Sequence, residues 1–335
     1  MKAIGYTRPA ALSEPGALVD FAAPDPGAPT GRDLKVRIKA VSVNPVDVKI
    51  RSRVAHDGPS PRILGYDAAG IVEAVGPDAV LFRPGDEVMY AGVTDRPGTN
   101  AELHLVDERI VGPKPRSVGW AEAAALPLTS ITAWELLFDR LRVDREETAD
   151  ILVVGAAGGV GSALVQLARR LTRLNVIATA SRPETRAWVE NLGAHQIIDH
   201  AKPLAPQLEA LGRPHPKYIA SLTHSAQHFP ALAEIVAPQG SIGVIEAEDV
   251  LDVRLLKNKA ASLVWEMMFA RPEWDTPDMI EQHRLLAEVA RLVDAGEIRS
   301  PLTETLSPID AATLLQAHAR IESARTIGKI AIEGF

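Results

Sequence analysis

The stretch ILVVGAAGGVGSALVQLARRL, residues 151–171, decides how this chain folds. Its apolar run Ile151–Val154 enters Gly155, and Gly158, Gly159 and Gly161 follow at once. Beyond them Val160, Leu164, Leu167, Ala168 and Leu171 recur at helical spacing, so the segment reads as a buried strand, a glycine turn and an amphipathic helix. Glycines there allow a tight turn, backbone approach to a pyrophosphate, and close packing of helix on sheet. The helix N-terminus then offers unpaired N–H groups to the phosphates. Gly155, Gly158, Gly159, Val160 and Gly161 are the expected dinucleotide cradle.

Working outward, apolar strands alternate with amphipathic helices: ILVVG (151–155), NVIATA (175–180), QIID (196–199), KYIASL (217–222), SIGVIE (241–246) and SLVWEMMF (262–269). That alternation predicts a parallel, doubly wound Rossmann sheet over residues 126–269. Residues 1–125 read differently. Short β-rich runs such as LKVRIKAVSV (34–43) and AAGIVEAVG (68–76) lie between Pro and Gly clusters. After Pro272 come two helical segments and a final strand, GKIAIEG, too little for a further domain; 270–335 is expected to complete the first unit. The fold class is therefore α/β, with a β-rich unit beside the Rossmann unit.

In such turns an acidic residue at the end of the second strand holds the ribose 2′-OH of NAD. Here that place reads Ala180-Ser181-Arg182-Pro183, with no carboxylate. Ser181 can donate to a phosphate and Arg182 can pair one bidentately, so NADP, and NADPH as its reduced form, is preferred over NAD; a solvated surface arginine is the plainer alternative for Arg182.

With 335 residues, 46% hydrophobic and 24% charged, the composition is that of an ordinary globular protein, and the length suits two domains. No run of about 18 apolar residues occurs, and the opening MKAIGYTRPA lacks a signal-type apolar run, so a cytoplasmic location without membrane association is expected. The net charge of −7 and scattered basic residues argue against nucleic acid as a main partner, which leaves small molecules. Zero cysteines exclude disulfides, iron–sulfur clusters, thiolate nucleophiles and Cys-containing zinc sites. His224 and His228 share i, i+4 spacing, but a loop-to-helix start with surface or capping histidines explains them, so no metal site is expected.

Several motifs, in order, resemble the medium-chain dehydrogenase/reductase superfamily, and within it the zinc-free quinone oxidoreductase branch and the bacterial zinc-type alcohol dehydrogenase-like subgroup. They are AVSVNPVDVKIR (40–51), ILGYDAAGIVEAVG (63–76), FRPGDEVM (82–89), AAALPLTSITAWELL (123–137), VVGAAGGVG (153–161), LGA with IIDH (192–200) and LVDAGEI (292–298). The resemblance covers the whole chain and implies a GroES-like catalytic domain, a Rossmann cofactor domain, an active site between them, and a homodimer. It implies that Asn44 lies beside the nicotinamide, that Asp47 orders its loop and that Thr132 contacts the nicotinamide ribose or ring. Ser181, Arg182 and His200 fall where relatives bind the 2′-phosphate; Arg325 and Lys329 are further basic candidates. Trp265, Met267, Met268 and Phe269 fall where the acceptor pocket and dimer contact are built, although such clusters also serve as core. Asn44 and Asp47 can equally be read as turn residues. Zinc-dependent relatives carry a Cys and a His where this chain has Asn44 and Tyr66-Asp67.

Without a Lewis acid, hydride transfer needs an acceptor that is already electrophilic, and quinones and α,β-unsaturated carbonyls qualify. Tyr66 and Asn44 can donate to the developing oxyanion, and His56 is the one near-neutral titratable group in the loop SRVAHDGPSPR. The expected activity is NADPH-dependent quinone reduction, with reduction of alkenals or enones as the neighbouring possibility. An NADPH-binding sensor or structural protein is the alternative from another class.

Overall fold

The structure, a computed structural model, describes residues 1–247 and 249–335. The chain forms two compact units, Met1–Leu128 with Phe269–Phe335, and Thr129–Met268.

The second unit's six strands form a parallel sheet, its four inner strands apolar and buried on both faces and its two edge strands partly exposed. Asp150–Val154, Asn175–Thr179, Gln196–Ile198, Tyr218–Ser221, Ser241–Val244 and Ser262–Trp265 take the order third, second, first, fourth, fifth, sixth. Leu152 of the first strand lies level with Ile177 on one side and Ile219 on the other, so the first strand is central. The order reverses beside it, and such a switch point leaves a crevice at the strands' C-terminal ends. One face of the sheet buries Leu152, Ile177, Ile219, Phe229 and Leu232 together.

Trp120–Ala124 is a short helix that Pro127, with no N–H, cannot continue; Pro127 opens a new helix, Pro127–Trp134, which widens into a π-helical stretch, Glu135–Arg140. One local expectation needed revision. The last parallel strand ends at Trp265, four residues before the apolar run does. A single strand neighbour, Ser241–Val244, ends at Val244, so no ladder remains for Met267–Phe269 to join.

The other unit is organised by one long strand, Asp33–Val43. It pairs antiparallel with Ala68–Val75, Leu103–Asp107 and Lys329–Glu333. Ile330 lies opposite Val43, which sets Lys329 level with Asn44, and Val41 opposite Ala68 sets Asp67 level with Ser42. By these registers Asn44, Asp67 and Lys329, three polar residues far apart in sequence, meet at one end of the sheet.

Candidate active site

In the Thr129–Met268 unit, the strand Asp150–Val154 runs into Gly155 and the helix Gly159–Leu171 starts after Gly158. The glycines are not interchangeable. Gly155 has φ +84°, a left-handed conformation that costs a residue with Cβ about 1 kcal/mol or more. A Cβ on Gly161 would stand 2.5 Å from both Ala156 Cα and Gly155 O, so only glycine lets the first helical turn close onto the loop. A Cβ on Gly158 would meet nothing nearer than Gly155 O at 3.6 Å, which leaves its outer side open to a ligand. Fixed turn, tight closure and open approach suit a pyrophosphate against the helix N-terminus. The residues fit a nicotinamide dinucleotide on that ground.

The second strand ends at Thr179, whose Oγ1 accepts from Gly155 N at 3.2 Å and ties the turn to the neighbouring strand. Ser181 is exposed, and Arg182 caps the helix Pro183–Asn191 with Nη1 3.3 Å from Glu184 Oε1. His200 lies half-buried with Nδ1 unpartnered; its ring meets His228 edge-on with centroids 6.4 Å apart. Burial holds the His200 imidazole below its ordinary pKa, as do the charges of His224 and Arg182, against the raising effect of Asp199. His228 is lowered too, first by burial and then by His200 and His224. Both shifts favour the neutral rings. Thr132 is buried on the helix Pro127–Trp134; Met268 is buried, whereas Trp265 is 51% exposed at the end of the edge strand.

In the other unit Asn44, Asp47 and Tyr66 are all buried. Asn44 caps the helix Pro45–Arg53, and its N–H donates to Asp47 Oδ2 at 2.8 Å. Asp47 Oδ1 has no partner, and burial pushes this carboxyl up to about 7, with Asp67 adding to the rise and Lys329 opposing it. Gly65, at φ +109°, turns the chain before Tyr66, and a Cβ on it would strike Thr99 Oγ1 at 2.5 Å. Tyr66 packs edge-on against Phe269 at 5.6 Å, and its buried hydroxyl makes no well-formed hydrogen bond; burial raises its pKa, as does Asp47, against the lowering effect of Arg62.

The surprise here is the company these residues keep. Lys329 is 3% exposed and donates to Val43 O at 2.9 Å, Asn44 Oδ1 at 2.6 Å and Asp67 Oδ2 at 2.9 Å. Asp67 also accepts from Asn44 Nδ2 and from Leu128 N, both at 2.8 Å. The sequence hints at this only through a lysine opening the buried strand KIAIE, since a buried ammonium demands an anion. Its partner could not be read from sequence. Arg325 is exposed in the turn before that strand, in this unit and not in the unit of the glycine loop. His56 Nε2 lies 2.7 Å from Ser60 O within its own loop.

A nucleotide cradle on a doubly wound sheet, in one chain with a β-rich unit, defines a nicotinamide-nucleotide-dependent dehydrogenase. Residues 30–132 match the alcohol dehydrogenase GroES-like domain, and residues 192–332 match the zinc-binding dehydrogenase family. A zinc-type alcohol dehydrogenase-like protein of Staphylococcus aureus (strain MSSA476), SAS2087, is 38% identical over 337 residues, covering 99% of each chain. The crystal structure of a "putative zinc-dependent alcohol dehydrogenase protein" from Rhizobium etli CFN 42 superposes with TM-score 0.97 at 57% identity, covering 100% of this chain and 98% of that one. A chloroplastic NADPH-dependent alkenal/one oxidoreductase of Arabidopsis thaliana is 37% identical over 176 residues, 50% of this chain and 45% of that one. The chain belongs to the medium-chain dehydrogenase/reductase superfamily, among the zinc-type alcohol dehydrogenase-like proteins.

The zinc in those names was tested against the donors present. The chain has no cysteine, and among the described residues no group of three His, Asp or Glu could hold a metal ion. The residues do not fit zinc, and the reaction proposed for this chain does not use it. Among the described residues, no helix is long and apolar enough to cross a membrane.

Proposed function

We propose that this protein is an NADPH-dependent, zinc-independent quinone reductase. The observation that carries the reading is the cradle: a glycine turn open at Gly158, with Ser181 and Arg182, and no carboxylate between the end of the second strand and Pro183; Glu184, in the first turn of the helix that follows, pairs with Arg182. Bound NADPH would supply a hydride, and a quinone needs that hydride plus one proton to become a hydroquinone. Loop and helix amides from Gly155 to Gly161 would hold the pyrophosphate, and Ser181 and Arg182 the 2′-phosphate, with His200 beside them. Thr132 is assigned to the nicotinamide ribose. In the other unit, Tyr66 is the proposed donor to the oxygen that gains negative charge. Asp47, near pH 7 by its burial, can hold or release a proton at working pH.

A second reading, reduction of the C=C bond of alkenals and enones, is favoured by the Arabidopsis relative. Both acceptors are conjugated carbonyls that accept hydride without a metal. As partner we propose a second copy of the chain, pairing along the edge strand Ser262–Trp265, where Trp265 and Met267 are exposed.

The test is oxidation of NADPH and NADH in parallel against 1,4-benzoquinone and short 2-alkenals with chelator present throughout. Rapid, NADPH-selective turnover of the quinone is expected. Turnover of alkenals alone would replace the first reading by the second, and NADPH binding without turnover of either would end both.

A further inference from the structure

The disagreement between a zinc-named family and a donor set that cannot take zinc raises the question of which cation this chain places among those oxygens. We infer that Lys329 is the resident cation of the GroES-like unit: its ammonium fills the oxygen cage of Val43 O, Asn44 Oδ1 and Asp67 Oδ2 and positions the Asn44 amide. The inference stands on that unit alone and does not depend on which acceptor the protein reduces.

Three observations support it. An ammonium has three protons, and each has one acceptor here, at 2.9, 2.6 and 2.9 Å, so the cation is saturated and needs no water. Asp67 Oδ1 accepts from Leu128 N, Oδ2 accepts from Lys329 Nζ, Asn44 Nδ2 and Ser42 Oγ, and the residue is fully buried, so the charge the carboxylate faces is the ammonium. The orientation of Asn44 follows from charge. Turned over, its NH2 would face the ammonium and its oxygen would face the Asp67 carboxylate, two repulsive contacts in place of two attractive ones. Lys329 therefore acts through Asn44 and Asp67, as a positioning residue. The register that sets Lys329 level with Asn44 delivers it there without a loop or hinge.

The experiment compares the full-length protein, Lys329→Ala and Lys329→Ala/Asp67→Asn. Thermal midpoints are read with and without zinc sulfate, n-propylammonium or n-propanol, and bound metal is counted after dialysis against zinc. The unmodified protein is expected to retain no stoichiometric zinc and to show no zinc-dependent shift. Lys329→Ala leaves a carboxylate buried without its cation, and its midpoint should fall by about 10 °C. Propylammonium, which matches the atoms the variant lacks, should restore at least half of that loss while propanol, equal in length but uncharged, should not; the double variant should ignore both. Stoichiometric zinc in the unmodified protein would overturn the inference. Equal rescue by propanol would overturn it too, by reducing Lys329 to a space filler. If Lys329→Ala is insoluble, refolding it in propylammonium or propanol gives the same two outcomes.

Discussion

Glu266 offers a prediction that can be worked to a magnitude. It follows the edge strand and is buried with Glu135, and one guanidinium serves both: Arg140 Nε lies 2.9 Å from Glu266 Oε2, and Nη2 lies 3.8 Å from Glu135 Oε2. Two buried carboxyls beside one cation keep a proton between them. Burial, then the neighbouring Glu135 carboxylate, pushes Glu266 from its ordinary 4.5 up to about 9. The folded state thus binds a proton that the unfolded chain has released, across the window from pH 4.5 to about 9. This contribution is complete below pH 4.5 and is lost as pH rises through the folded value. One proton corresponds to about 1.4 kcal/mol per pH unit, hence about 3 kcal/mol between pH 6 and pH 8. For a unit of this size that is roughly 6–12 °C in thermal midpoint. Glu266→Gln keeps the neutral form at every pH, since its amide can donate to Glu135 and accept from Arg140. Midpoints of both proteins, measured by scanning fluorimetry from pH 5 to pH 9, should draw together toward pH 5 and separate steadily as pH rises, with the variant the more stable in alkali. Parallel curves across that range would refute the shared proton.

Gly161→Ala must displace backbone atoms now 2.5 Å from the new Cβ, so NADPH affinity should weaken at least ~10-fold in a fluorescence titration, with the midpoint lowered. Gly158→Ala, with 3.6 Å of room, should leave the unliganded protein's midpoint unchanged. Arg182→Ala removes a charge-assisted contact of about 1.5–3 kcal/mol, so the NADPH dissociation constant should rise ~10- to 150-fold while that of NADH stays put; equal effects on both would remove Arg182 from the 2′-phosphate. His104 is held neutral, chiefly by burial, with a pKa lowered to about 4. The unfolded chain takes up that proton first, so stability falls as pH drops from 6.5 toward 4, by up to about 1.4 kcal/mol per pH unit. His104→Gln should flatten this acid limb in urea titrations at pH 4.5, 5.5 and 6.5.

The glycine turn was legible because everything it needs lies within 21 residues: an apolar strand, a conformation only glycine takes easily, and a periodic helix. Local order also fixed the six parallel strands, since strands buried on both faces must alternate with covering helices. The break at Pro127 is local too, since the missing N–H marks it in sequence. The early end of the last strand was not local. A strand lasts only as long as its neighbour, and Val244 set that limit.

The polar core lay beyond sequence reasoning for a related reason. Asn44, Asp67 and Lys329 were each in view, the first as a nicotinamide neighbour, the second as the residue after Tyr66, the third as a cofactor contact. Hydrogen bonds spanning 285 and 262 positions join Lys329 to the other two. The same holds for Arg51, fully buried against Ala10 O, His318 and Glu322, and for the Glu135–Glu266 pair, 131 residues apart by numbering. Sequence by itself determined the cradle, the parallel alternation and the want of thiolate ligands, because these depend on residue type and short-range periodicity. Tertiary structure alone decided which buried charge answers which, because a charge in a low-dielectric interior is satisfied by whatever the sheet register brings beside it, however distant in the chain.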